Sequence, residues 1–178
     1  SYIAFVSENS LSILLWPTYL AVVVFSADSY LKIGSVSSIS IAAAALLALP
    51  LGKFLDSKKG SSMIRFGTVL NSIVHLIRPF IGGFGGAAAV ATVNEPNTLV
   101  YRLAYLKGFY DNADDYPGQR IAYIFCNEIV AHLFCFVIWT LLAVIAMLFA
   151  DSIVFVIGFV IAALLSLIIQ SQHYKAIS

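Results

Sequence analysis

Charged side chains are scarce in this sequence. Asp, Glu, Lys and Arg together make up 11% of the 178 residues, whereas 61% are hydrophobic and the mean hydropathy is +0.94. Soluble domains contain about 25% charged residues. The formal net charge of +1 leaves no overall field that would attract nucleic acid, so no nucleic-acid partner is predicted. The composition instead favours a protein that is solvated by the lipid bilayer, with membrane lipid as a partner.

Cysteine and the motifs of enzyme chemistry are also scarce. Cys126 and Cys135 are nine residues apart in one apolar run, without a CxxC motif or a partnering His pattern. Such thiols are typical of buried apolar side chains, so we predict no metal site, disulfide or cofactor. No GxSxG nucleophile turn occurs, and by spacing neither His75 nor His132 has a Ser partner or a metal cluster. The sequence therefore predicts a protein that is not an enzyme.

Long apolar runs, by contrast, fill most of the chain. A helix needs about 20 apolar residues to cross the hydrocarbon core of a bilayer. Transmembrane β-strands are roughly ten residues long and alternate in polarity, so these longer runs exclude them. The sequence predicts an all-α membrane protein with one bundle of six transmembrane helices. The predicted spans are 2–25, 31–54, 62–84, 86–108, 119–149 and 152–172.

The few cations predict how these spans are oriented. Six spans place both ends on one side of the membrane, together with the loops around 53–65 and 107–120. Lys32 is the only clear loop cation on the opposite side. Because cytoplasmic loops are enriched in Lys and Arg, we predict that both ends are cytoplasmic. The cations on that side are Lys53, Lys58, Lys59, Arg65, Lys107, Arg120 and Lys175.

The loop between the second and third spans, PLGKFLDSKKGSSMIR, carries a recognisable motif. Gly52 is followed four residues later by Asp56, and then by a basic cluster and a second glycine. This loop resembles the one between the second and third helices in each half of a major facilitator superfamily transporter. Ser57 and Ser61 stand where basic residues are usual, a degeneracy more common in the C-terminal half of such transporters.

The resemblance covers nearly the whole chain. The segments ENSLSILLWPTYL, RFGTVLNSIVHLIRPF, YRLAYLKGFYDNAD and RIAYIFCNEIV are similar to the C-terminal six helices of some bacterial members. These transporters have twelve helices in two bundles, so the chain is expected to be one half, partnered by the other half in a bacterial inner membrane. The resemblance implies secondary active transport of a small solute by alternating access, with proton coupling left open.

The resemblance also implies a role for the loop in gating. In the family, the loop carboxylate contacts a helix N-terminus and basic neighbours only when the cytoplasmic side is closed. Asp56 is then expected to act as a conformational latch. The alternative is that the cations only determine topology beside anionic headgroups. The candidate gating residues are Gly52, Asp56, Lys58, Lys59, Gly60 and Arg65.

Polar residues within the spans are the candidates for solute binding or proton transfer, because ionisable groups at membrane depth are expensive. In the fourth span, Asn94, Glu95 and Asn97 surround Pro96, and Arg102 lies seven residues after Glu95 on nearly the same helix face. The resemblance implies that the first and fourth helices line a central cavity. Glu95 is expected to act in coupling or binding, with a structural ion pair as the alternative.

The first span has a polar stripe at helical spacing, formed by Glu8, Asn9, Ser12, Trp16 and Tyr19. Trp16 and Tyr19 would offer flat rings with polar tips to a ligand, although aromatic side chains in membrane helices also serve packing. Glu8 lies near the cytoplasmic end, where the alternative is a solvated carboxylate. The stripe is therefore a second candidate surface for the solute.

Two further polar pairs complete the candidates. His75 and Arg78 are three residues apart near the external end of the third span, where Arg78 is expected to extend outward to the membrane surface. Anion attraction or an external gate is the alternative for that pair. Glu128 and His132 are four residues apart, so they share a helix face and are expected to contact each other. Proton transfer and interhelical hydrogen bonding are equally compatible with the second pair.

A different class of function also fits the fold. A non-transporting scaffold or receptor-like bundle would keep the same helices, and the departures from the family motif at Ser57, Lys59 and Ser61 permit it. The polar stripes on the first and fourth spans argue against this alternative, because a scaffold does not require polar groups there.

Overall fold

The computed structural model describes residues 1–25, 28–55, 60–172 and 174. Within these ranges every regular element is helical and no strand occurs, which confirms the predicted all-α class. A π-helical turn, Leu20–Val24, continues α1, and a 3₁₀ turn, Arg78–Phe80, continues α3. The α-helices are α1 (Tyr2–Tyr19), α2 (Ser29–Leu55), α3 (Gly60–Ile77), α4 (Gly83–Asp114), α5 (Arg120–Leu148) and α6 (Asp151–Ile169).

Each predicted span coincides with one of these helices, and the largest differences are at the third and fourth. The predicted third span continues to residue 84, but α3 ends at Ile77 because the chain tightens into the 3₁₀ turn. Ile81 and Gly82 connect the 3₁₀ turn to α4, and Gly83, the first residue of α4, adopts a φ of +73° that favours glycine. At the other end, α4 extends six residues past the predicted boundary to Asp114.

Three of the described helices are long and apolar enough to cross a membrane: residues Ser29–Leu47 of α2, α5 and α6. The other three carry polar groups that lower their hydropathy, including Glu8 on α1, His75 on α3 and Arg102 on α4. On α5, large apolar side chains point away from the bundle, such as Phe136, which is 70% exposed, and Met147, which is 85% exposed. Insertion of α2, α5 and α6 into a membrane is compatible with their length and hydropathy and with the apolar outer surface of α5. That all six helices span the membrane stays a prediction.

The most extensive contacts between helices follow a pattern that repeats after three helices. α1 packs against α5 and α6, α4 packs against α2 and α3, and α3 packs against α6. Exchanging α1, α2 and α3 for α4, α5 and α6 leaves this set of neighbours unchanged. When successive helices are antiparallel and each repeat has three of them, the first helix of the second repeat runs opposite to the first helix of the first repeat. These neighbour relations are those of an inverted repeat.

Glycines permit the closest helix contacts at equivalent places in the two repeats. A Cβ built on Gly67 of α3 would lie 2.6 Å from the Cβ of Tyr101 on α4. A Cβ built on Gly158 of α6 would lie 2.6 Å from Cδ1 of Leu15 on α1. Small residues allow membrane helices to approach closely in this way. Both contacts help to position the side chains of α1 and α4.

Gly67→Ala is expected to destabilise the full-length protein by about 1–3 kcal/mol, because its methyl group would overlap Tyr101. Gly34→Ala is the matched control, since Gly34 also lies within a helix but an added methyl group would meet no described atom within 4 Å. The control is expected to be neutral or slightly stabilising. Thermal unfolding in detergent micelles measures both; equal melting temperatures for the two variants would contradict the close approach of α3 and α4.

Candidate functional site

The centre of the site is the carboxylate of Glu8 on α1, which is completely buried. Its Oε1 accepts hydrogen bonds from Asn71 Nδ2 and His75 Nε2, each at 2.9 Å. Its Oε2 accepts a hydrogen bond from the Tyr101 hydroxyl at 3.0 Å and lies 3.5 Å from Arg102 Nη2. A buried charge costs several kcal/mol unless it is paired and hydrogen-bonded. Donors from α3 and α4 supply that pairing.

His75 connects Glu8 to a second cation. Arg78 Nη1 donates a hydrogen bond to His75 Nδ1 at 3.1 Å and another to Ser12 Oγ at 3.2 Å. Because a guanidinium has only donors, His75 Nδ1 must be the acceptor, and the proton of the neutral ring is on Nε2. That proton is donated to Glu8. A neutral imidazole therefore lies between the Arg78 guanidinium and the Glu8 carboxylate.

Arg78 points into the bundle, so the prediction that it extends outward to the membrane surface is wrong. It is 2% exposed, and its guanidinium lies 4.9 Å from the centre of the Trp16 ring and 5.8 Å from that of Phe159. A cation over an aromatic face is attracted by the ring quadrupole, most strongly when both are desolvated. This contact and the acceptor on His75 hold Arg78 inside. Its role as an external gate stays a prediction.

A cavity of about 360 Å³ lies between α1, α2 and α4, next to the buried network. Small-molecule sites typically enclose about 300–1,000 Å³. Trp16 and Pro17 of α1 and Leu20 of the π-helical turn form part of its apolar wall, with Ile33 and Val36 of α2. The polar side chains in its wall are Ser12, Ser37, Ser40, Arg78, Asn94, Glu95, Thr98 and Arg102.

Several buried polar atoms in this wall have no hydrogen-bond partner in the described part of the chain. They are Arg78 Nε, Asn94 Oδ1, Thr98 Oγ1 and Arg102 Nε. Leaving a buried donor or acceptor unpaired costs about 1–3 kcal/mol. A polar ligand or water that supplies the missing partners would recover this energy. The wall is therefore complementary to a molecule with both acceptors and donors.

The structure brings together many of the residues that the sequence singled out. Glu8, His75, Arg78 and Arg102 form one network, and the alternative of a solvated Glu8 is wrong because its carboxylate is completely buried. The cavity is lined by α1 and α4, as expected, with α2 as a third wall. Glu95 lines the same cavity, but it is exposed and forms no ion pair within 4 Å among the described residues. Arg102 pairs with Glu8 instead.

Besides Glu8, the predicted solute contacts Tyr19, Asn97 and Asn9 are outside the cavity lining. The Tyr19 hydroxyl donates to the carbonyl oxygen of Pro79 at 2.9 Å, so it joins α1 to the 3₁₀ turn. Asn97 Nδ2 donates to the carbonyl oxygen of Gly67 at 2.9 Å and joins α4 to α3. Asn9 is half-buried and its Oδ1 has no partner in the described chain. The first two side chains hold helices together in this conformation.

Glu128 and His132 form the predicted contact on α5, away from the cavity. His132 Nδ1 lies 3.4 Å from Glu128 Oε2 and 2.8 Å from the Glu128 carbonyl oxygen, and His132 is largely exposed. The Tyr2 hydroxyl donates to Glu128 Oε1 at 2.5 Å. On the same helix Cys135 is buried, as predicted, but Cys126 is exposed. Nothing in the described chain connects this pair to the Glu8 network.

Most of the predicted gating loop cannot be placed. Asp56, Lys58 and Lys59 lie outside the described residues, and Gly52 is described only as part of α2. Gly60 is buried at the first position of α3, whereas Arg65 is exposed on the first turns of that helix. The proposed latch at Asp56 therefore stays a prediction.

Sequence reasoning missed three members of the network: Asn71, Tyr101 and Ser166. Asn71 Nδ2 also donates to Ser166 Oγ at 3.1 Å, and Ser166 Oγ donates to the carbonyl oxygen of Thr68 at 2.9 Å. Through this contact α6 joins the network. A signal for Asn71 was present, because residues 71, 75 and 78 recur at helical spacing on one face of the third span.

The site combines two guanidinium groups, two carboxylates and a neutral imidazole around a small cavity. Such an arrangement is suited to holding a polar or charged solute by hydrogen bonds and ion pairs. Comparisons of the chain with known protein families, characterised proteins and solved structures found no match.

Glu8→Gln is expected to destabilise the full-length protein by about 3 kcal/mol, because it leaves Arg102 without its buried anion. Asp114→Asn is the control: Asp114 pairs with Arg120 at 2.9 Å, but both side chains are more than half exposed. Surface pairs contribute about 0–1 kcal/mol. Thermal unfolding in micelles gives both values, and a loss for Glu8→Gln no larger than that of the control would show that the network does not depend on its charge.

Proposed function

We propose that this chain is one six-helix half of a secondary active transporter of the major facilitator type. It moves a small polar solute by alternating access across a bacterial inner membrane, and both of its ends are cytoplasmic. The observation that carries the proposal is the cavity between α1, α2 and α4, whose wall contains Arg78, Glu95 and Arg102. Charged groups at membrane depth are costly, which makes a functional role the default interpretation.

The arrangement of the helices supports the same proposal. Neighbour relations that repeat after three helices are typical of secondary transporters, in which solute sites lie near the middle of the membrane at the interface between repeats. Here α1 and α4 occupy equivalent positions in the two repeats, and both line the cavity. The apolar outer surface of α5 fits a bilayer environment. The missing side of the cavity would be supplied by the other six-helix half.

The network suggests how solute binding is coupled to conformation. Arg78 and Arg102 have one side in the cavity and the other in contact with His75 and Glu8. A solute that binds either guanidinium changes its contacts with the residues that tie α1 to α3 and α4. Such differential contacts bias an equilibrium between two states. Proton coupling, if present, is assigned to Glu95, whose carboxylate lines the cavity and is exposed.

Glu95→Gln is expected to abolish or uncouple solute accumulation by the full-length protein in proteoliposomes. The variant keeps the shape of the side chain but removes the only exposed carboxylate in the described cavity wall. Polar solutes are supplied one at a time, and proton flux across the proteoliposome membrane is measured for each with a pH-sensitive dye. Glu128→Gln, which removes a carboxylate on α5 away from the cavity, is the control and should retain the flux. Normal pH-dependent uptake by Glu95→Gln would exclude Glu95 from coupling.

Asp56→Asn tests the proposed latch. A carboxylate at a helix N-terminus contributes about 0.3–1 kcal/mol, so turnover should fall about two- to fivefold while solute affinity stays unchanged. Asp114→Asn, at the C-terminal end of α4, is the matched control. Transport rates and equilibrium binding of the full-length protein separate the two effects. Unchanged turnover in Asp56→Asn would leave the loop cations as topology determinants only.

A further inference from the structure

We infer that the cavity holds the anionic oxygen group of a solute, a carboxylate or a phosphate, between Arg78 and Arg102. The inference rests on the proposed function only in taking the bound molecule to be the transported solute. What carries it is a feature of the cavity wall: two guanidinium groups with buried donors that no described residue satisfies.

The first step concerns the donors. Arg78 uses Nη1 for His75 and Ser12, and its Nε–H has no partner in the described chain although the residue is 2% exposed. Arg102 approaches Glu8 through Nη2, and its Nε–H is also buried and unpaired among the described residues. Both residues line the same cavity. Guanidinium groups match the geometry of carboxylate and phosphate oxygens, which accept from two N–H groups at once.

The second step concerns charge. The partners of Arg78 Nη1 are a hydroxyl and a neutral imidazole, so no anion in the described chain contacts that donor directly. With His75 neutral, the charges of Arg78, Arg102 and Glu8 sum to +1, as two cations and one anion. Glu95 also lines the cavity and brings the sum to zero when it is ionised, but its carboxylate is exposed and pairs with neither guanidinium within 4 Å among the described residues. The buried part of the wall therefore attracts an anion and disfavours a cation.

The third step concerns the remaining shape and polarity of the site. The Trp16 ring beneath Arg78 fixes the guanidinium in position, 4.9 Å from the ring centre. The Thr98 hydroxyl in the same wall also has no partner in the described chain, and offers one more donor to an oxygen atom. A volume of about 360 Å³ accommodates a small organic anion or a phosphate ion.

The test is binding to the purified full-length protein in detergent micelles, measured by isothermal titration calorimetry. The probes are benzoate, inorganic phosphate and benzamide; benzamide has nearly the shape of benzoate without its charge. Benzoate or phosphate is expected to bind at least about tenfold more tightly than benzamide. Binding of benzoate would identify the anionic group as a carboxylate, and binding of phosphate would identify it as a phosphate. Equal affinities for benzoate and benzamide, with no binding of phosphate, would overturn the inference.

Substitutions of the two arginines test whether the anion binds at their guanidinium groups. Arg78→Lys and Arg102→Lys keep a positive charge but remove the unpaired Nε–H, so each should weaken anion binding by about tenfold. Arg120→Lys, on the exposed ion pair with Asp114, is the control and should bind as the wild type does. Should Arg78→Lys fail to fold, Thr98→Val and Arg102→Lys carry the test. Lysine variants that bind the anion with wild-type affinity would overturn the inference.

The outcomes also separate this inference from the proposed function. Transport of an uncharged solute that neither benzoate nor phosphate inhibits would support the transporter and overturn the anion site. Anion binding that depends on Arg78 and Arg102, in a protein that transports none of the tested solutes, would support the site and contradict the transporter.

Discussion

The buried carboxylate of Glu8 is the constraint on which the arrangement of this bundle depends. An ion in a low-dielectric interior is tolerated only when several donors surround it. Here those donors come from α3 and α4, and Asn71 extends the network to Ser166 on α6. Four helices must therefore hold a common register. The close approach of α3 and α4 at Gly67 brings Tyr101 within reach of Glu8.

The same constraint explains why polar and apolar surfaces are distributed as they are. The helices that supply the network, α1, α3 and α4, do not reach the hydropathy of a membrane span by themselves, whereas α5 and α6 do. Large apolar side chains lie on the outside of α5, and the ionic groups of the Glu8 network face inward. His75 occupies only part of the Arg78 guanidinium and Glu8 only part of that of Arg102, so these two cavity-lining residues each keep a buried Nε–H that is unpaired within the described chain. The network that stabilises the bundle therefore also leaves donors at the site without hydrogen-bond partners in the described chain.

Much of the fold could be predicted because long runs with few charged residues are recognisable as helices from the local sequence alone. The candidate site was harder. Arg78 was expected to extend outward, and a solvated carboxylate was the alternative for Glu8, since each lies near one end of its predicted span. Both were wrong because burial depends on packed neighbours: Trp16 on α1 for Arg78, and Asn71, His75, Tyr101 and Arg102 on α3 and α4 for Glu8.

The sequence by itself determined the helical class, the positions of the helices and the polar residues that make the interior unusual. These follow from local hydropathy and helical periodicity, which need no knowledge of the neighbours. Only the tertiary structure decided which of those polar residues meet. Glu95 and Arg102 share a helix face two turns apart, yet Arg102 pairs with Glu8, because α1 brings a carboxylate to within 3.5 Å of its guanidinium. Contacts between helices distant in sequence depend on packing, and local sequence patterns do not encode the distance between two packed helices.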